Sequence, residues 1–182
     1  MPDARTELVH YYRLLRQHGD NDSHSGNGSI REGATVWITP TGACGDTLEP
    51  DALVACHVEL APPVRASSDA PLHLAVHAAL SEDGAVLHSH GPHTIALSLA
   101  GDDFRPVDFE GRMLFPRVPV IDIPLEAHRS AAPPRLAETL AEHPAAILRG
   151  HGIYARGRNA EEAYRWCSQV EACARIAWLA RL

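Results

Sequence analysis

The stretch AVLHSHGPHT, residues 85–94, ends a short apolar run with two histidines one residue apart. Side chains at positions i and i+2 of a strand project to the same face. A strand over residues 85–90 therefore places His88 and His90 side by side. Two neutral imidazoles at one strand end provide half of a metal site, although surface or hydrogen-bonded histidines would give the same pattern. The stretch predicts a strand that ends in two candidate metal ligands.

A third ligand has to come from elsewhere in the chain, and His151 is the best candidate. It follows the apolar run 145–148 and lies between Gly150 and Gly152. Glycines let the backbone bring an imidazole close to an ion, but a structural histidine in a turn is the alternative. Three histidines with an open fourth position suit a catalytic Zn²⁺, and Fe²⁺, Mn²⁺ and Co²⁺ are compatible with the same ligands.

Length and composition predict a single α/β domain over residues 1–182. A chain of 182 residues with 45% apolar content is long enough to form one domain with a buried core, and it is too short for two domains to be expected. Strand-like and helix-like segments alternate along it, and no internal repeat is found. The predicted strands are residues 34–40, 85–90, 118–124, 145–149 and 152–157. The predicted helices are residues 5–18, 71–83 with Gly84 just past its end, 92–101, 134–143 and 159–182, the last capped by Asn159.

Three segments receive no firm prediction from their sequence. Residues 19–33 are polar and glycine-rich, and residues 102–116 are expected to be irregular. Residues 53–60 are compatible with either a strand or a short helix. These segments have to be assigned from the structure.

Charge and the N-terminal sequence restrict the partners and the location. The net charge of -7 offers no basic stripe for nucleic acid. Residues 1–17 lack the apolar core of a signal peptide, and no run approaches a membrane span. We expect a soluble cytoplasmic protein with no nucleic-acid or membrane partner. Its four cysteines form no CxxC motif and are expected to be reduced.

The chain contains no lysine, and all sixteen of its basic residues are arginines. Schiff-base enzymes, enzymes that use pyridoxal phosphate and the usual P-loop all require a lysine amine. These mechanisms are excluded. Any carbanion chemistry here would need another electron sink, for which a divalent metal is the obvious candidate.

Three short stretches have the character of an anion-binding site. GNGS (26–29), TPTG (39–42) and SSD (67–69) offer small side chains, hydroxyls and exposed backbone N–H groups. Ser67 and Ser68 directly precede a predicted helix N-terminus, where an anion is favoured. An ordinary helix cap at this place is the alternative. The sequence does not show whether the three stretches converge.

Taken in order, five motifs resemble those of the class II aldolase/adducin family. They are GNGSIR, TPTGA, SSD before a helix, AVLHSHGPHT, and RGHGIYARG before a long terminal helix. The resemblance covers nearly the whole chain, and the family includes fuculose-phosphate aldolase, ribulose-phosphate 4-epimerase and methylthioribulose-phosphate dehydratase. It implies a three-layer α/β/α sandwich with a mainly antiparallel central sheet, assembled as a homotetramer with active sites between subunits.

The resemblance also implies roles for individual residues. It makes His88, His90 and His151 the ligands of one divalent ion per subunit, with Zn²⁺ favoured. It makes Asp69 an acid/base group, a metal ligand or both. It implies that the substrate phosphate is bound by Asn27, Thr41, Gly42, Ser67 and Ser68. The substrate it implies is a small ketose phosphate.

The reaction that the resemblance favours is retro-aldol cleavage to dihydroxyacetone phosphate and an aldehyde. The metal would stabilise an enediolate, and Asp69 would move the proton. The aldolase's catalytic tyrosine has no counterpart in residues 104–115, and we expect the family's longer C-terminal tail, with its tyrosine, to be absent as well. The alternative is dehydration, because Glu110 matches the position of the dehydratase's catalytic glutamate, although it could be an ordinary surface residue.

Two further interpretations remain open at this stage. The epimerase's aspartate falls near Met113 or Leu114, which disfavours epimerisation. An adducin-like interaction module would be expected to lack the metal histidines.

His73 and His77, four residues apart on a predicted helix, are expected to pack in the core or to form hydrogen bonds beside the site.

Overall fold

The computed structural model describes residues 3–80 and 82–181; Met1, Pro2, Ser81 and Leu182 lie outside the described residues. Its centre is a seven-stranded sheet with the order β3-β2-β1-β4-β7-β6-β5. The strands are β1 (Asn27–Glu32), β2 (Thr35–Ile38), β3 (Val54–Cys56), β4 (Gly84–Ser89), β5 (Val120–Ile121), β6 (Ala145–Leu148) and β7 (Gly152–Gly157).

The sheet is mixed, so the predicted antiparallel arrangement holds for most of its strand pairs but not for all of them. Most neighbours in the sheet pair antiparallel, but β5 pairs parallel with β6. The reason is the connection between them. A helix, α5 (His128–Glu142), lies between these two strands and returns the chain to the same end of the sheet, as a parallel pair requires.

Helices cover both faces of the sheet and make three layers. The remaining helices are α1 (Ala4–Gln17), α2 (Ala70–Leu80), α3 (Pro92–Ser98), α4 (Phe109–Leu114) and α6 (Ala160–Leu179). One apolar core joins α1 and α6 to the sheet, and another joins α2 and α5 to its opposite face. In the part of the chain that is described, no helix is long and apolar enough to cross a membrane.

The central strand β4 shows how the sequence produces these layers. Its side chains alternate, so Ala85 and Leu87 enter the core with α1 and α6, while Val86 enters the core with α2 and α5. His88 lies two positions beyond Val86 and therefore faces α2. The metal-ligand candidates lie on the α2 side of the sheet, where the central strands end.

Several elements differ from the sequence-based predictions. Residues 27–32 form β1, a strand that was not predicted because this segment is polar and glycine-rich. A Cβ at Gly28 would lie 2.6 Å from a Leu87 methyl group and 2.9 Å from one of Leu8, so any larger residue there would force these two leucine side chains to shift. Residues 102–116 are not wholly irregular, since α4 forms where Asp108 accepts a hydrogen bond from Gly111 N.

Helix ends also shift relative to the predictions. The helix expected at residues 71–83 ends at Leu80, and Gly84, predicted to lie just past its end, is the first residue of β4. The helix expected from residue 134 begins at His128, before two prolines in its first turns. Residues 53–60 contain β3, an edge strand.

Candidate metal centre and active site

Three histidines from two separate parts of the chain meet on the α2 side of the sheet. His88 is the last but one residue of β4, His90 directly follows this strand, and His151 lies in the turn between β6 and β7. One ring nitrogen from each lies within 4.8 Å of the other two. The structure thus brings together the three residues predicted to bind a metal.

The orientation of His88 is set by a backbone hydrogen bond. Its Nδ1–H donates to the carbonyl oxygen of Ile153 at 2.9 Å, which leaves the lone pair of Nε2 free. This Nε2 lies 2.9 Å from Nε2 of His90. Two imidazole nitrogens at this separation need a proton or a cation between them, so the donor set fits a divalent metal ion.

Glycine makes the approach of His151 possible. Gly152 has a φ of +151°, and a Cβ there would lie 2.2 Å from the carbonyl oxygen of Ser89 and 3.1 Å from Cε1 of His88. Gly150, on the other side of the histidine, has a φ of +69°. Only glycine lets this turn pack directly against the end of β4.

Burial keeps the three imidazoles neutral, which is the form that binds metal. It lowers the pKa of His88 well below its ordinary value, with His151 and His90 adding to the effect. It also lowers the pKa of His90 and of His151, against opposing contributions from Asp69. At neutral pH each ring therefore has a lone pair to offer.

Asp69 lies beside the triad at the start of α2. Its Oδ2 is 3.9 Å from Nε2 of His88 and accepts hydrogen bonds from Asn27 Nδ2 and Tyr154 Oη, both at 2.9 Å. Burial works to raise the pKa of this carboxyl, but the hydrogen bonds from Asn27 and Tyr154 favour the anion, and the pKa is lowered. Asp69 is therefore a carboxylate at neutral pH.

Tyr154 is a site residue that sequence reasoning missed. It pairs with His88 across β4 and β7, and the two rings stack with centroids 3.9 Å apart. Its hydroxyl reaches Asp69, and its side chain is completely buried. In the sequence, Tyr154 is marked only by its place in the predicted strand after His151. The pairing of β7 with β4 is what brings it next to His88.

A cavity of about 190 Å³ opens in front of these groups. Its lining includes all five residues predicted to bind phosphate, together with Asp69, His90 and His151. The complete lining is His24, Ser25, Gly26, Asn27, Pro40, Thr41, Gly42, Ala43, Ser67, Ser68, Asp69, His90 and His151. The three anion-binding stretches therefore converge on one cavity beside the triad. His24 and Ser25 were not predicted to be part of it.

Glu110 is not brought to this cavity within the chain. It lies exposed on α4, a helix that packs on α6 through Gly111 and Cys173, and it is absent from the described lining. His93, the third histidine of residues 85–94, also lies outside the lining, and its Nδ1 lies 2.7 Å from Oε1 of the buried Glu171. Of the residues to which the resemblance assigns a role, Glu110 is the one that the structure separates from the rest.

The fold and the site define a three-layer α/β protein with a trihistidine centre beside a carboxylate. The family described as Class II Aldolase and Adducin N-terminal domain matches residues 6–178, so the chain belongs to this family. The resemblance predicted from the five motifs is confirmed.

Both aldolases and dehydratases are among the similar proteins. An L-fuculose phosphate aldolase of Methanococcus maripaludis is 27% identical over 177 residues, which cover 96% of each chain. A methylthioribulose-1-phosphate dehydratase of Parvibaculum lavamentivorans is 32% identical, over 90% of this chain and 87% of the relative. Among solved structures, the L-fuculose-1-phosphate aldolase of Thermus thermophilus has a TM-score of 0.88 at 30% identity, over 96% of this chain and 93% of its own.

Proposed function

We propose that this protein is a divalent-metal-dependent lyase that cleaves a small ketose phosphate to dihydroxyacetone phosphate and an aldehyde. The observation that carries the proposal is the convergence of His90, His151, Asp69 and the three anion-binding stretches on one cavity, with the buried His88 grouped with the two cavity histidines. We propose that it acts in the cytoplasm as a homotetramer.

The triad would hold the metal, with Zn²⁺ favoured, through Nε2 of His88, Nε2 of His90 and one ring nitrogen of His151. When bound, a divalent ion supplies positive charge that polarises a carbonyl and stabilises an enediolate. The protein's contribution is to hold three neutral imidazoles in place and to bury one side of the site.

Asp69 is the group that would move the proton. It is anionic at neutral pH and lies at the cavity wall. It would take the proton from the substrate hydroxyl on the carbon that becomes the aldehyde. As the carbon–carbon bond breaks, its electron pair passes to the other fragment as an enediolate. Asp69 would then return the proton to carbon and restore its own charge.

The phosphate would be bound by neutral donors, because the chain has no lysine and no arginine is among the described residues that line the cavity. The hydroxyls of Thr41 and Ser68 and the backbone around Gly42, whose φ is +69°, line the same cavity. The Asn27 amide already donates one N–H to Asp69, which leaves its second N–H for the phosphate. Such cradles of hydroxyl and N–H groups are typical of phosphate sites.

Dehydration is the second candidate, and the 32% identity to a named methylthioribulose-1-phosphate dehydratase favours it. The glutamate proposed for this reaction, Glu110, is exposed in its own chain. It would therefore have to reach the cavity of a neighbouring subunit. In this alternative the homotetramer is a requirement of catalysis.

Product analysis separates the two reactions. The Zn²⁺-loaded protein is incubated with L-fuculose 1-phosphate, 5-deoxyribulose 1-phosphate and methylthioribulose 1-phosphate. Release of dihydroxyacetone phosphate that persists in Glu110→Gln supports the lyase. Loss of water without carbon–carbon cleavage, abolished in Glu110→Gln, moves the assignment to dehydration. No turnover of any ketose phosphate contradicts both.

A further inference from the structure

A chain of buried hydrogen bonds runs from Asp69 into the core between the sheet and α2. Asn27 Nδ2 donates to Asp69 Oδ2, and Asn27 Oδ1 lies 2.5 Å from His73 Nε2. His73 Nδ1 lies 2.7 Å from Ser29 Oγ, and Ser29 Oγ lies 2.8 Å from His77 Nε2. His73 and Ser29 are completely buried, and His77 is 1% exposed.

The direction of every hydrogen bond in this chain follows from its end at the carboxylate. An ionised carboxylate only accepts, so Asn27 must present its NH₂ to Asp69 and its oxygen to His73. His73 must then carry its proton on Nε2 and accept from the Ser29 hydroxyl at Nδ1. The Ser29 oxygen, in turn, accepts from a proton on Nε2 of His77. Both imidazoles are thereby restricted to one tautomer.

Burial supports this arrangement by keeping both rings neutral. It lowers the pKa of His73 to about 4, against the opposing charge of Asp69. It lowers the pKa of His77 to about 3, with His73 and Arg31 adding to the effect. The series of hydrogen bonds from His77 to Asp69 therefore consists of neutral groups, each of which donates toward the Asp69 carboxylate.

We propose that His73, with Ser29 and His77 behind it, is a positioning residue that fixes the orientation of Asp69 through Asn27. Two donors, Asn27 and Tyr154, converge on Oδ2, and this network does not use the lone pairs of Oδ1. The carboxylate is held against rotation while Oδ1 stays outside the network. The effect on turnover rests on the proposed function, whereas the positioning itself does not.

The kinetic test compares two substitutions at His73 with a matched control. His73→Leu removes the donor to Asn27 and should lower kcat by about 10-fold to 100-fold, with KM and metal content within about twofold. His73→Gln places an amide N–H at the reach of Nε2 and should restore most of kcat. Val76→Ala alters a buried residue on the same helix that takes no part in the hydrogen bonds from His77 to Asp69. It should lower the Tm and leave kcat unchanged.

Three kinetic results would overturn the proposal. They are an unchanged kcat in His73→Leu, equal losses in His73→Leu and His73→Gln, and a comparable kcat loss in Val76→Ala. If His73→Leu does not fold, Ser29→Ala replaces it. Removal of that hydroxyl frees the His73 tautomer and should lower kcat by roughly threefold to tenfold.

A structural arm does not depend on the reaction. ¹⁵N NMR of the wild type at neutral pH should show His73 and His77 protonated at Nε2 only. Crystal structures should show the Asp69 carboxylate rotated in His73→Leu and unmoved in Val76→Ala. A His73 ring protonated at Nδ1, or an unmoved carboxylate in His73→Leu, overturns the positioning role. A wild type without turnover that passes both structural checks overturns the proposed function alone.

Discussion

Asp69 combines two properties that favour different protonation states. Its side chain is largely buried, which favours a neutral acid, yet the hydrogen bonds from Asn27 and Tyr154 hold it as a carboxylate. A base that is anionic at neutral pH needs no prior deprotonation. It is also held at a defined distance from the triad, which suits a group that takes and returns one proton.

Replacement of this carboxylate tests its role at the scale of the residue. Asp69→Asn keeps an oxygen that can accept from Asn27 and Tyr154, so the fold and the metal content should be retained. Without a base, kcat should fall by about 10²-fold to 10⁴-fold. The measurement is the steady-state rate with the metal content of each sample known. Asp102→Asn, an exposed control, should be unchanged, and a loss of less than tenfold in Asp69→Asn would contradict its role as the base.

The turn between β6 and β7 is the element on which the site depends. It places His151 against the end of β4, and the space for a side chain at Gly152 is already filled by the backbone of Ser89. The sheet register then sets Tyr154 opposite His88. One turn therefore fixes the third imidazole and the ring that stacks on the first.

A methyl group at Gly152 should disturb both stability and metal binding. Gly152→Ala would force the backbone of Ser89 to move, in addition to the strain of an alanine at positive φ, which is about 1–2 kcal/mol. We expect at least a tenfold weaker affinity for Zn²⁺, measured by titration. Gly33→Ala is the control, because its φ is +57° and nothing lies within 4 Å of the added methyl. Equal metal affinity in the two variants would show that the close approach at Gly152 is unimportant.

At the scale of elements, the sequence predicted what its own pattern encodes. β4 and the long α6 follow from apolar periodicity and a capping asparagine, and they were found. β1 was missed because its polar residues face partners on α2, so that Ser29 is satisfied by His73 and His77. No local pattern reveals such a pairing, which joins residues more than forty positions apart.

The whole molecule buries histidines in a neutral form, and this makes its stability depend on pH. Folding lowers the pKa of His77 from 6.5 to about 3 and that of His73 from 6.5 to about 4. Between about pH 6.5 and pH 4 the unfolded chain binds protons at these sites that the folded chain does not. As far as these two histidines are concerned, the free energy of unfolding is highest above pH 6.5 and decreases as the pH falls through this window.

His77→Gln should flatten this dependence in the metal-free protein. Each such histidine contributes a slope of about 1.4 kcal/mol per pH unit where only the unfolded chain is protonated. The free energy of unfolding, from urea titrations at several pH values, should fall less steeply in the variant by about this amount. Because the two proteins differ only at this residue, other titrating groups cancel in the difference. Parallel curves for variant and wild type would contradict a buried neutral His77.

The sequence predicted most completely the residues that lie in recognisable motifs, which are the three grouped histidines and the three stretches that line the cavity. The prediction was least complete where the function depends on packing between distant segments. Tyr154, Asn21 and the cavity residues His24 and Ser25 have ordinary sequence surroundings, and Asn21 accepts a hydrogen bond from His90 N only in the folded chain.

The central claim is that His88, His90 and His151 form a divalent metal centre, and the metal content of the purified protein tests it most directly. Inductively coupled plasma mass spectrometry of the wild type should find close to one divalent ion per chain. His90→Ala should lose most of it, and His10→Ala, which removes an exposed histidine, should retain it. A wild type that holds no divalent metal after reloading, or a His90→Ala variant that binds as much as the wild type, would contradict the account.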